Sequence, residues 1–212
     1  MSLAKFALPL FVPGLRVGLF GGSFNPPHEG HRAASLLALK RLQLDRIWWL
    51  VSPGNPLKDL AELAPFGLRL DVARKLSNHP RIEVTGIEAA IGSAYSFETI
   101  CYLKRRCPGV HFVWVMGADG FRTFDCWQRW REIAKLLPIA VIDRPGFTLT
   151  ALHGQAAMAL ARYRLDESRA PVLATAAPPA FVFLHGPRLP FSSTQLRTKQ
   201  LPAGAEGPIS LR

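Results

Sequence analysis

The stretch Gly18-Leu19-Phe20-Gly21-Gly22-Ser23-Phe24-Asn25-Pro26-Pro27-His28-Glu29-Gly30-His31 constrains this chain more than any other. An apolar run at residues 16–20 predicts a buried strand, and a helical pattern begins near Glu29. A strand therefore feeds a glycine loop, and the loop feeds a helix N-terminus. Gly21 and Gly22 lack a Cβ, so the expectation is a sharp backbone turn that a bulky anion can approach closely. Pro26 and Pro27 stiffen the exit, and Pro27 suits the position just before or within a first helical turn. The helix start offers N–H groups and the positive end of its dipole to the anion. His28 and His31, three residues apart, project from one side of that turn. Together these features describe a site for phosphate chemistry.

The pattern then alternates. Leu36, Leu37, Leu39 and Leu42 predict a helix over residues 29–43 packed on a sheet. Residues 47–51 read as a second strand, followed by a turn-rich loop through Lys58. A loop at the carboxyl end of a parallel strand is where open α/β sheets place ligand contacts. Lys58 could lend charge to a phosphate there, and a solvated loop lysine describes it equally. Pro65 starts a second helix, residues 81–85 alternate as a short strand, and Ser96 fits the N-cap of a helix running to residue 106. Residues 110–116 are the most apolar strand, predicted to be central, and end in Gly117-Ala118-Asp119-Gly120, a second glycine turn. Another helical region opens at residue 124, with Trp127 and Trp130 at helical spacing; core packing accounts for at least one of them. Residues 138–142 form a strand before Asp143-Arg144-Pro145-Gly146. Residues 151–163 read as helix, 170–179 as a Pro/Ala loop and 181–185 as a last strand. Ser192, Ser193 and Thr194 then set hydroxyls at a helix start with Arg197 one turn on, which describes either an ordinary cap or a polyphosphate cradle.

This alternation implies a three-layer α/β/α sandwich around a mostly parallel, Rossmann-like sheet. With 212 residues the chain suits one domain, assigned to residues 16–199. Residues 1–15 are an extension, frayed or laid against the surface, and 200–212 a tail. Lys and Arg total 26 against 15 Asp plus Glu, a net charge of +11 that attracts nucleotides, polyphosphates or nucleic acid without choosing among them. No basic helix with interleaved aromatics favours a nucleic-acid-binding module, so no nucleic acid partner is expected. Three cysteines without a CxxC pair suit a reduced, cytoplasmic protein, and no apolar run reaches the roughly 18 residues of a membrane span. Neither GxGxxG nor GxxxxGK[ST] occurs, and the histidines do not assemble a zinc set, so no protein-held metal is expected.

The segment Gly21-Gly22-Ser23-Phe24-Asn25-Pro26-Pro27-His28-Glu29-Gly30-His31 resembles the loop of the HxGH nucleotidyltransferases, most closely the bacterial nicotinate-nucleotide adenylyltransferases. Tyr95-Ser96, Gly117-Ala118-Asp119, Arg144-Pro145-Gly146 and Ser192-Ser193-Thr194-x-x-Arg197 follow in family order, so the resemblance spans roughly residues 16 to 199. Ser23 stands where the family often has Thr, Asn25 where it has Asp, and Leu57 where it has His. The resemblance implies adenylyl transfer from ATP to nicotinate mononucleotide, with Mg²⁺ bridging ATP phosphate oxygens. It assigns His28, His31, Lys58 and Arg197 to phosphate chemistry, and Gly21, Gly22, Ser23, Gly117, Asp119, Ser193 and Thr194 to ATP. It assigns Asn25, Tyr95, Ser96, Trp127 and Arg144 to the mononucleotide, with Trp127 stacking on the pyridine ring. A sister transferase acting on nicotinamide mononucleotide or phosphopantetheine, or making a CDP-alcohol, shares the first loop. The oligomeric state stays open.

Overall fold

The computed structural model describes residues 7–54, 63–143 and 151–186. Seven strands form one sheet: β1 (Arg16–Gly22), β2 (Arg46–Val51), β3 (Ile82–Thr85), β4 (His111–Gly117), β5 (Ile139–Ile142), β6 (Arg164–Leu165) and β7 (Phe181–Leu184). Their order is β3-β2-β1-β4-β5-β7-β6, and every pairing is parallel. Helices α1 (Glu29–Arg41), α2 (Phe66–Ser77), α3 (Ile87–Ala90), α4 (Ser96–Arg106), α5 (Ala118–Arg122), α6 (Trp130–Leu136) and α7 (Gln155–Leu160) cover the sheet.

Strands buried on both faces must be apolar on both, and this period-2 division separates two cores. On one face Val17, Leu19, Trp48, Trp114, Met116 and Phe181 pack with Ile100, Leu103, Phe121 and Ile133 from α4, α5 and α6. On the other, Phe20, Ile47, Trp49, Val115 and Val182 pack with Ala38, Leu39, Leu70 and Ala73 from α1 and α2. The result is the expected three-layer sandwich. Gly18 lies where these layers press closest: a Cβ there would meet Ile47 Cδ1 at 2.8 Å and Leu44 Cδ1 at 2.9 Å.

The order of strands positions the site. From β1 the chain steps outward to β2 and β3, then returns to β4 on the other side of β1. The helix after β1 packs on one face and the helix after β4 on the opposite face. Between the carboxyl ends of β1 and β4 the loops therefore diverge, which is where such sheets open a ligand crevice.

For the N-terminal extension one of the two expected alternatives is realised, and for the Pro/Ala stretch the expectation changes in part. Residues 7–15 lie against the domain: Leu8, Phe11 and Leu15 pack on the core, and the Ala7 carbonyl accepts the Thr85 hydroxyl at 2.8 Å. The Pro/Ala stretch is a loop only from residue 176 on, because Glu167–Thr175 is a 3-10 helix. Asp166 accepts the Ser168 N–H at 2.9 Å at its start, and Glu167 ties it to Arg41 of α1 at 2.7 Å. Ala170, Leu173 and Ala174 then become core. The short edge strand β6 carries no sequence signal.

Candidate active site

The phosphate loop differs in detail from its sequence reading. Gly21 and Gly22 are the last residues of β1, paired with Leu50 and Val51 of β2, and they do not turn. The turn falls on Phe24, whose φ is 47°. The glycines serve close packing instead: a Cβ on Gly21 would lie 3.0 Å from the Trp114 ring, and one on Gly22 3.3 Å from the Phe24 ring. Turned inward, Phe24 stacks on Trp49 with centroids 4.9 Å apart.

That aromatic floor carries His31. Its ring lies 4.9 Å from Phe24, 5.9 Å from Phe20 and 3.9 Å from His28 between centroids. Behind it, Trp49 Nε1 donates to Ser35 Oγ at 2.7 Å, and Ser35 Oγ donates to the His31 carbonyl at 2.9 Å. His28 is the N-cap of α1, and its N–H donates to His31 Nδ1 at 3.2 Å. An accepting Nδ1 carries no hydrogen, so the neutral imidazole holds its hydrogen on Nε2 and can donate from there. Two imidazoles thus converge at the N-terminus of a 13-residue helix, where the dipole favours an anion.

An open cleft of about 330 Å³ adjoins this loop. Gly21, Gly22 and Ser23 form one side, Tyr95 and Ser96 the second, and Trp114, Trp127 and Ile133 the third. Trp127 stands edge-to-face on Trp114 at 6.0 Å and on Phe124 at 5.4 Å, and stays partly exposed. Trp130, by contrast, is core on α6. Ser96 is not the cap of α4. Tyr95 is the N-cap and Ser96 the first helical residue, because Ser93 organises the turn instead. The Ser93 hydroxyl accepts the Tyr95 N–H at 3.1 Å and donates to Glu98 at 2.7 Å. The first intrahelical bond runs from the Glu98 N–H to the Tyr95 carbonyl at 3.1 Å, so the N–H groups of Ser96 and Phe97 precede it.

Gly117 closes β4 and Asp119 sits in the first turn of α5, across the crevice from β1. Asn25 is buried, and its Oδ1 accepts the Ala64 N–H at 3.1 Å, tying the loop to the segment before α2. Lys58, Arg144, Ser193, Thr194 and Arg197 lie outside the described residues. Among the described residues no group of three His, Cys, Asp or Glu could hold a metal ion, and no helix is long and apolar enough to cross a membrane. Cys101, Cys107 and Cys126 are free thiols.

Two buried ionisable residues escaped the sequence reading. Arg69 of α2 donates Nη1 to the carbonyls of Ser23 at 2.5 Å and Ser52 at 2.8 Å, Nη2 to Pro53 at 3.1 Å and Nε to Ala64 at 2.9 Å. One guanidinium thereby joins the phosphate loop, the loop after β2 and the start of α2. Glu88 of α3 lines the cleft and is buried, and burial pushes its carboxyl up to about 7. Nothing in local composition distinguishes Arg69 from a solvated helix arginine, or Glu88 from a surface acid after a strand.

The open parallel sheet, its crevice and the loop–helix junction define a nucleotidyltransferase, and residues 19–199 match the family model described as cytidylyltransferase-like. A protein of Methylorubrum extorquens, named "Probable nicotinate-nucleotide adenylyltransferase", is 57% identical over 185 residues, covering 87% of this chain and 100% of its own length. One of the same name from Brucella abortus is 54% identical over 187 residues, covering 88% of this chain and 96% of its own. The chain belongs to the nicotinate-nucleotide adenylyltransferase family. In fold it is similar to Plasmodium falciparum nicotinic acid mononucleotide adenylyltransferase complexed with NaAD. That likeness has a TM-score of 0.61 at 18% identity and covers 86% of this chain and 82% of that one.

Proposed function

We propose that this chain transfers the adenylyl group of ATP to nicotinate mononucleotide, releasing pyrophosphate and forming deamido-NAD. The observation that carries the reading is one continuous cleft bounded by the phosphate loop, the start of α4 and the Trp127 ring. A phosphate monoester has its second pKa near ~6 and is mostly dianionic at neutral pH, so the nucleophile needs no general base. The work left to the protein is to align two anions and to offset charge on the α-phosphate and the departing pyrophosphate. On this reading the His31 Nε2–H donates to the α-phosphate with His28 beside it. Asp119 accepts from a ribose hydroxyl, while Lys58, Ser193, Thr194 and Arg197 grip the terminal phosphates and Arg144 the mononucleotide phosphate. Mg²⁺ would arrive on ATP, as a hard cation that keeps several waters and is held through substrate phosphates. Its contribution is to offset phosphate charge.

The flat face of Trp127 suits an electron-poor pyridine ring. The leading N–H groups of α4 suit an anionic substituent on that ring, which favours the acid over the amide. An α-helix terminus is worth at most about 2 kcal/mol for a partly buried anion, so the preference from this source is about 10-fold or somewhat more in KM. Pyrophosphate release from ATP and Mg²⁺, compared across nicotinate mononucleotide, its amide and phosphopantetheine, tests the reading. Release dependent on the acid is expected; release with phosphopantetheine alone would remove Trp127 from the substrate site. Trp127→Ala is expected to raise the KM for the mononucleotide about 10-fold or more, in line with ~1–3 kcal/mol per stacked ring, and to leave the KM for ATP near its original value. An unchanged mononucleotide KM would return Trp127 to a packing role.

A further inference from the structure

The Glu88 carboxyl is the one ionisable group among the described residues that is both buried and part of the cleft wall. It stands at the start of α3, directly beyond β3. Thr99 Oγ1, one turn into α4, reaches its Oε1 at 3.3 Å and the Tyr95 carbonyl at 3.3 Å, so Glu88 abuts the same end of α4 that faces the cleft. Its other bond is to the side chain of Ser52, just beyond β2. Ser52 Oγ also bonds the Gly54 carbonyl at 2.7 Å, so its one hydroxyl hydrogen is shared between that carbonyl and Glu88. Burial outweighs these two neutral hydroxyls and favours the protonated carboxyl.

We propose that Glu88 is a specificity-determining residue for the pyridine nucleotide: as a neutral acid it donates a hydrogen bond to the ring carboxylate, and as an anion it repels that group. The inference rests on the proposed reaction and adds to it a proton that the enzyme must hold for the acid substrate to bind. Among the described residues no charged group stands among the influences on Glu88. Glu83 on β3 has Arg46 at 3.8 Å, Glu98 on α4 takes the Ser93 hydroxyl, and Arg69 on α2 spends its donors on carbonyls. Tyr95 and Cys126 are the other titratable side chains among the described residues of the cleft wall. Burial is the largest influence on Glu88, with the Thr99 and Ser52 hydroxyls pulling weakly the other way. The sign follows. With its carboxyl raised to about 7, Glu88 is protonated and attractive below neutrality, and charged and repulsive above it.

The test is the pH profile of KM between pH 6 and 9 for nicotinate mononucleotide, its amide and ATP. For the acid, KM is expected to climb above pH 7 by up to about tenfold per pH unit, as a single required proton dictates. The amide, which carries no charge on the ring substituent, should not share that climb. In Glu88→Gln, which keeps a neutral donor at every pH, the climb should disappear. A flat wild-type profile for the acid, an equal climb for acid and amide, or a climb that survives in Glu88→Gln would each overturn the proposal. The wild-type comparison of acid with amide decides the matter even if the variant fails to fold. A wild-type enzyme that releases no pyrophosphate with the acid at any pH would instead overturn the proposed reaction.

Discussion

Replacing His31 with alanine is expected to lower turnover by about 10²–10³-fold, the usual cost of removing one preorganised donor from a developing charge. The ring is held on three sides by Phe20, Phe24 and His28, and its Nδ1 is engaged by the His28 N–H, so its Nε2–H is oriented before substrate arrives. A donor oriented in advance costs little reorganisation at the transition state, which is why its loss falls on kcat more than on KM. The variant also loses the acceptor for the His28 N–H at the helix start, a capping contact worth about 0.5–2 kcal/mol. That is small enough for the fold to survive. Initial rates of pyrophosphate release, with a thermal melt as control, check both halves. Near-normal turnover in a folded variant would remove His31 from the chemistry.

The second large effect is expected at Arg69. Its guanidinium is buried and joins four backbone carbonyls from three separate segments, two of which flank the cleft. Burial lowers its pKa, yet a guanidinium remains protonated in proteins, so a full charge is held there by carbonyl dipoles. Arg69→Met preserves much of the stem and its packing but strips every donor. Hydrogen bonds to charged groups are each worth about 1.5–3 kcal/mol, and water entering the vacated space recovers part of the sum. A net loss of about 3–5 kcal/mol follows, equivalent to roughly 10 °C in melting temperature for a domain of this size. Because Ser23 and Ser52 both lose their anchor, kcat/KM should fall at temperatures where the variant is still folded. Arg69→Lys should sit between, since one ammonium cannot span four carbonyls. A Met variant with unaltered melting and activity would show that water replaces the guanidinium without loss.

The layered fold was legible because both faces of the central strands are apolar. Val17, Leu19 and Phe20, or the run from Phe112 to Met116, have no other way to be buried than in a covered parallel sheet. The site loop was legible as a location and misread in its mechanics. Glycines after an apolar run usually signal a turn, yet here Gly21 and Gly22 stay extended because the Trp114 and Phe24 rings need the room. Ser96 beside a helix start reads as a cap by residue type alone, but Ser93 has the geometry to reach both Tyr95 and Glu98. Residue type cannot choose between hydroxyls three positions apart; the path of the turn does.

What the sequence by itself determined is the set of elements with strong local signals: alternating strands and helices, a glycine-proline loop ahead of a histidine-bearing helix, and an aromatic pair of which at least one ring is core. Local periodicity and backbone chemistry suffice for these, because each signal lies within one turn or one strand. What only the tertiary structure decided are the groups whose meaning depends on distant partners. Arg69 becomes an anchor because Ser23, 46 positions away, turns its carbonyl inward, and Glu88 becomes a raised acid because the packed domain buries it, against the pull of the Ser52 and Thr99 hydroxyls. Burial of a charge is a property of the whole packed assembly, and no window of sequence contains the neighbours that bring it about.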